Sequence, residues 1–224
     1  MQLKKLAQST MLVTNEKGGT LLIDPGRYNL DPGRLTVDTI PTAQTIIITH
    51  KHIDHFDISI IRSLLKCSSP TIFTNKELQE TLRSENIEAK ILEMGLKVEA
   101  SGFSFTAIPA DHRVNGEVIP NFGLVVSADG SSFYYTSDTL YIDPASLPKE
   151  THAKYLFLPI SGRGVTMDAN DALKFAKEIR AEVTIPVHLD SPKDKDINPQ
   201  EFVDMVEKEG LKARTMKFGE EIVL

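Results

Sequence analysis

Cysteine is almost missing from this sequence of 224 residues. Cys67 is the single one, which excludes an internal disulfide and a cysteine-rich zinc or iron–sulfur site and suits a reducing compartment. An excess of positive charge is missing too. Lys and Arg number 25 against 31 Asp and Glu, a formal net charge of −6, and no dense basic block is available to track a phosphate backbone or an anionic membrane. A nucleic-acid partner is therefore not expected. No apolar run reaches transmembrane length, and near the start the apolar pattern is broken by Gln8, Ser9 and Thr10, so neither membrane insertion nor a secretory signal is expected. These absences point to a soluble, cytoplasmic protein. What remains is ordinary globular composition, 41% hydrophobic and 25% charged, long enough for one sizeable core. One domain over residues 1–224 is the expectation.

Periodicity supplies a coarse α/β pattern. Short strands over residues 3–7, 11–14 and 20–23 read as a meander, ended by Asp24-Pro25-Gly26, where Pro presets φ and Gly is expected to supply a positive one. Residues 45–49 form an apolar run without alternation, a buried strand, after which Asp57 caps a helix carrying Ile58, Ile61, Leu64 and Leu65 on its apolar face. Strands over 71–74, 90–92, 97–99 and 103–109 follow, with a helix capped by Asn75 among them. Asp129-Gly130 marks a tight hairpin between strands at 122–127 and 132–136. A strand at 155–159, a helix capped by Asp168 and a strand at 183–187 resemble a βαβ unit. A last helix starts at Asn198-Pro199, before closing strands near 213–216 and 222–224.

One stretch stands apart. Residues 49–57, Thr-His-Lys-His-Ile-Asp-His-Phe-Asp, pack three histidines and two aspartates into a strand-to-helix connection. A regular helix would point His50 and His52 to nearly opposite sides, whereas an extended His-x-His places both imidazoles on one side, as two ligands of one ion require. Asp54 and His55, from the following turn, can reach a second ion. Three further apolar strand runs end on ligand-type residues: at Asp111-His112, at Asp138 and at His188. That pattern predicts one shared sheet edge where they meet. Nitrogen and oxygen donors of this kind suit zinc first, and Mn or Fe according to supply.

His50-x-His52-x-Asp54-His55, then His112, Asp138 within Thr-Ser-Asp-Thr, and His188 resemble in order the metallo-β-lactamase superfamily, over the whole chain. The stretch from Leu158-Pro159-Ile160 to Thr166-Met167-Asp168 is similar to the small metal-dependent hydrolase branch that includes ascorbate-6-phosphate lactonase. The resemblance implies a four-layer αββα sandwich. It also implies that His50, His52 and His112 hold a first metal, that Asp54, His55 and His188 hold a second, and that Asp138 bridges them. Ser137 stands where many relatives have glycine, and His188-Leu189-Asp190 departs from the aromatic-glycine continuation of that branch.

The implied chemistry is hydrolysis by a metal-bridging hydroxide, with Asp54 orienting it or shuttling a proton. Two divalent ions held by two carboxylates and five imidazoles leave a net positive site, suited to a small anionic ester, a lactone or a phosphodiester. Arg113 and Arg163 are candidates to grip that anion. Asp24, Asp57 and Asp190 are candidates to orient the metal-binding imidazoles. His152 matches no ligand position and reads as a surface residue. Two other functions stay open: a di-iron redox protein on the same fold, or a non-catalytic metal-binding scaffold or sensor. Oligomeric state is not legible.

Overall fold

In the computed structural model, which describes residues 1–191, 194 and 196–224, the chain opens on an antiparallel meander of β1 (Gln2–Lys5), β2 (Met11–Thr14) and β3 (Thr20–Ile23). Parallel to β3 come β4 (Thr45–Ile48), then β5 (Thr71–Thr74) after helix α1 (Ile58–Cys67), and the short β6 (Lys90–Ile91) after α2 (Lys76–Ser84). The second half builds another sheet from β7 (Lys97–Ala100) and β8 (Phe103–Pro109). A small separate hairpin, β9 (Arg113–Val114) and β10 (Glu117–Val118), precedes the sheet strands β11 (Phe122–Ala128) and β12 (Ser131–Tyr135). Parallel additions follow: β13 (Tyr155–Pro159), then α3 (Ala169–Ile179) and β14 (Val183–Val187). Helix α4 (Pro199–Lys208) and β15 (Glu221–Val223) close the chain, and β15 returns to pair with β1. The sheets thus run β15-β1-β2-β3-β4-β5-β6 and β14-β13-β12-β11-β8-β7.

Both sheets are covered on both faces, which explains why their central strands lack polar alternation. On β4, Ile47 packs toward the other sheet, with Leu21, Ile23, Phe105, Leu124, Phe133 and Val187. Its neighbours Ile46 and Ile48 turn the other way, onto Ile60, Ile61 and Leu64 of α1 and Leu78 and Leu82 of α2. On the second sheet Phe133 and Tyr135 face inward, while Tyr134, Leu156 and Leu158 meet Ala172, Phe175 and Ile179 of α3 and Phe202 and Val206 of α4. The period-2 side-chain alternation of strands therefore sorts one residue set into three cores, giving the layers helix, sheet, sheet, helix. Among the described residues, no helix is long and apolar enough to cross a membrane.

Several sequence expectations shift. Residues 213–216 form no strand; Ala213 makes one isolated parallel bridge to Thr184. Leu65 lies on the outer side of α1, 36% exposed, and Ile60 takes the buried place beside Ile61 and Leu64. The loop after β3 winds into a 3-10 turn over Arg27–Leu30. Gly26 there has φ −87°, and Asp24 carries the positive φ, 47°. Gly26 is needed for a different reason: a Cβ there would lie 1.9 Å from the carbonyl oxygen of Asp54, so any side chain would push the histidine-bearing turn away. The ligand-type strand ends do not share one sheet edge either. β4 belongs to the first sheet and β8, β12 and β14 to the second, so the residues gather where one end of both stacked sheets opens.

Candidate metal centre

His50 follows β4 directly, and the 52–55 turn is held by the His55 and Phe56 amides donating to the His52 carbonyl. His112 follows β8, Asp138 follows β12, and His188 follows β14. Their donor atoms form two groups, His50, His52, His112 and Asp138 in one and Asp54, His55, Asp138 and His188 in the other. Within each group the donors lie within 4.8 Å of one another. In the first, Nε2 of His50 and Nε2 of His112 lie 3.1 and 3.0 Å from Nδ1 of His52. Two nitrogens bound tetrahedrally at about 2.0–2.1 Å to one zinc would sit roughly 3.3 Å apart, so the spacing is that of ligands to a common ion. In the second, Nε2 of His188 is 2.9 Å from Asp54 Oδ2 and 3.3 Å from Asp138 Oδ2, and Nε2 of His55 is 3.2 Å from Asp138 Oδ1. His55 Nε2 and Asp138 Oδ1 are buried without a hydrogen-bond partner. They face each other at 3.2 Å without forming a hydrogen bond, and a cation between them would satisfy both. The donor set fits divalent metal.

The far sides of His50, His55 and His112 are held by the chain. Asp24 Oδ2 accepts from His55 Nδ1, from Thr49 Oγ1 and from the Tyr135 hydroxyl, each at 2.8 Å, and Asp24 Oδ1 accepts from the Thr49 amide at 2.7 Å. Since Thr49 Oγ1 gives its proton to Asp24, it accepts from His50 Nδ1 at 3.1 Å and from Ser137 Oγ at 2.9 Å. His112 Nδ1 donates to the Val165 carbonyl at 2.9 Å. In all three residues the outer Nδ1 carries a hydrogen and Nε2 points inward among the other donors, the orientation metal-ligating histidines require. His188 Nδ1 lies 3.3 Å from Ser161 Oγ. Of the three candidate orienting carboxylates only Asp24 touches a histidine. Asp57 instead caps α1, accepting from the Ser59 and Ile60 amides at 2.8 and 3.2 Å, and pairs with Arg27. Asp190 pairs with Lys5.

Protonation divides the two groups. Burial, helped by the neighbouring imidazoles, holds His50, His52 and His112 below the usual histidine range. Burial acts the same way on His55 and His188, but Asp138 and Asp54 outweigh it, with Asp24 adding to the effect on His55. His55 lies well above its ordinary value and His188 is pushed up to about 10. Burial would raise Asp54, yet His55 and His188 keep it below the usual carboxylate range.

Tyr135, Thr49 and Ser137 were not legible as parts of the site. A tyrosine at the buried end of a strand does carry one usable signal, a hydroxyl that needs a partner. Ser137 has φ 55°, a region costing a non-glycine residue about 1–3 kcal/mol. Here its hydroxyl bonds to Thr49 Oγ1 and Asn121 Oδ1 offset that cost. Arg113 pairs through Nε with Asp111 at 2.7 Å, and Arg163 pairs with Asp196 at 2.8 Å. His152 is exposed and binds the Ile179 carbonyl, away from both donor groups.

A family model described as the beta-lactamase superfamily domain matches residues 20–189. The UPF0173 metal-dependent hydrolase of Nanoarchaeum equitans is 27% identical over the whole of both chains. That of Methanosphaerula palustris is 31% identical over 75% of this chain and 78% of its own length. A solved metallo hydrolase from Ignicoccus hospitalis superposes with a TM-score of 0.81 at 25% identity, covering 99% of this chain and 97% of that one. The chain belongs to the metallo-β-lactamase superfamily, among the UPF0173 metal-dependent hydrolases.

Proposed function

We propose that residues 1–224 form one hydrolase domain in which His50, His52 and His112 hold one divalent ion, Asp54, His55 and His188 hold a second, and Asp138 bridges them, with zinc as the metal of the cell. The observation that carries this reading is the presence of Asp138 in both donor groups. When bound, such ions bring the pKa of water down toward neutrality and polarise an attacked carbonyl or phosphoryl oxygen. The protein's own part is positioning and proton handling. Asp54, with 16% of its side chain exposed, is the most accessible donor of its group. In this reading Asp54 also orients an incoming water and takes its proton.

Two divalent charges against two carboxylates favour an anionic substrate, a lactone or a phosphodiester. Arg113 adjoins His112, and Arg163 lies two residues before Val165, whose carbonyl holds His112. Arg113 makes a surface ion pair, which contributes little to stability and can be exchanged for substrate oxygens, while Arg163 pairs with the exposed Asp196 and lies 3.7 Å from the buried Asp194. Elemental analysis of the purified protein, followed by a panel of lactones and phosphodiesters, tests the reading. The expected result is two zincs per chain and turnover that a chelator abolishes. Two irons with oxygen consumption would replace it by a redox function, and a metal-replete protein inert across the panel by a scaffold role. Asp54→Asn with both metals bound and full turnover would rule out the proton role.

A further inference from the structure

His188 leaves β14 with φ 63°, and Gln8, across the gap between the sheets, has φ 54°. Residues with side chains adopt this left-handed backbone when their surroundings hold them there. The His188 amide faces the Gln8 carbonyl at 3.4 Å. Two residues on, the exchange becomes tight and reciprocal: the Gln8 amide donates to Asp190 Oδ2 at 2.8 Å, and the Asp190 amide donates to Gln8 Oε1 at 2.6 Å.

A nearly buried lysine completes the arrangement. Lys5 Nζ, with 4% of its side chain exposed, donates to Asp190 Oδ2 at 2.6 Å and to the Leu6 carbonyl at 3.0 Å. The other side of the segment is also tied, since Arg34 Nη2 donates to the Asp190 carbonyl at 2.9 Å while its Nη1 holds the Tyr28 carbonyl at 2.8 Å. A buried ammonium is costly without a partner. Lys5 and Asp190 therefore commit the 188–190 turn to one place on the first sheet, although His188 is delivered by the second.

We propose that Lys5, Gln8 and Asp190 are positioning residues that clamp the His188 turn across the two sheets and thereby set the affinity of the second metal position. The inference rests on the two-metal reading above. Asp190 touches no imidazole; it acts through the backbone geometry of His188. Outer partners of metal ligands typically contribute 10–100-fold in metal affinity.

The test is titration of the metal-free full chain with Co²⁺, read by chelator competition and by the visible absorption of each equivalent. Wild type takes two equivalents. In Asp190→Ala and Lys5→Met the second equivalent weakens by about 10–100-fold with an altered spectrum, the first is unchanged, and Lys5→Arg, which keeps the ion pair, restores the second. If Asp190→Ala does not fold, Gln8→Ala, which removes the bond to the Asp190 amide, takes its place with the same expectation. Folded variants that bind both equivalents like wild type overturn the clamp. So does equal weakening of both equivalents alongside a lower melting temperature, the mark of a merely structural role. Wild type that binds fewer than two equivalents overturns the two-metal reading itself.

Discussion

His50, His52 and His112 form a nearly all-imidazole group whose members burial holds below the usual histidine range. Asp54, His55 and His188 form the opposite kind of group, where carboxylates outweigh burial and raise both imidazoles above the usual histidine range. In the first group the imidazoles meet one another around His52 Nδ1, whereas in the second they meet carboxylates. A cation entering the first displaces nothing, whereas one entering the second must displace protons. Asp24 spans the difference, touching His55 directly and His50 through Thr49. On the two-metal reading, the two donor groups that share Asp138 would therefore load differently.

The largest expected effect comes from erasing what the two groups share. Asp138→Ala should weaken both metal equivalents by more than about 100-fold, beyond the usual cost of losing an outer partner. Retention of either equivalent at wild-type affinity, measured by isothermal titration, would mean that Asp138 belongs to one group alone. Next, Asp24→Ala leaves His55 Nδ1 only the long 3.4 Å contact to the Tyr135 hydroxyl but leaves His50 its Thr49 hydroxyl. The second equivalent should weaken by about 10–100-fold and the first by less, and the reverse order would break the assignment of Asp24.

The smallest signal is a proton count. At pH 7.5, titration in buffers of different ionisation enthalpy should show no proton released with the first equivalent and about one from each of His55 and His188 with the second. The sign follows from the shifts. Groups with raised values hold protons that compete with metal, so affinity at the second position rises with pH until His188 loses its proton near 10. The lowered values of the first group leave its affinity flat above the ordinary histidine pKa. Equal proton release at both steps would remove the distinction between the two groups.

Much of the site could be read before any coordinates. His-x-His behind an unalternating strand, and three later strand ends on His112, Asp138 and His188, named the seven residues that the fold gathers into two groups. Those signals are local: a two-residue spacing and a strand boundary. The orienting carboxylate was less legible, because Asp24, Asp57 and Asp190 are alike in sequence. Their partners separate them: a buried imidazole and three further donors for Asp24, helix amides for Asp57, and a lysine 185 positions away for Asp190. The β9–β10 hairpin beside His112 escaped notice because two-residue strands carry no period.

Chain chemistry alone therefore set the ligand types, the order of strands and helices that carries them, and the positive character of a metal-loaded site. All of these follow from residue identity and short-range periodicity. Packing decided the rest. The stacking of two sheets brings β4 of one and β8, β12 and β14 of the other to a common end. Packing then sets burial against nearby carboxylates differently at each ring, lowering His50 and raising His188, since the field there comes from residues distant in sequence.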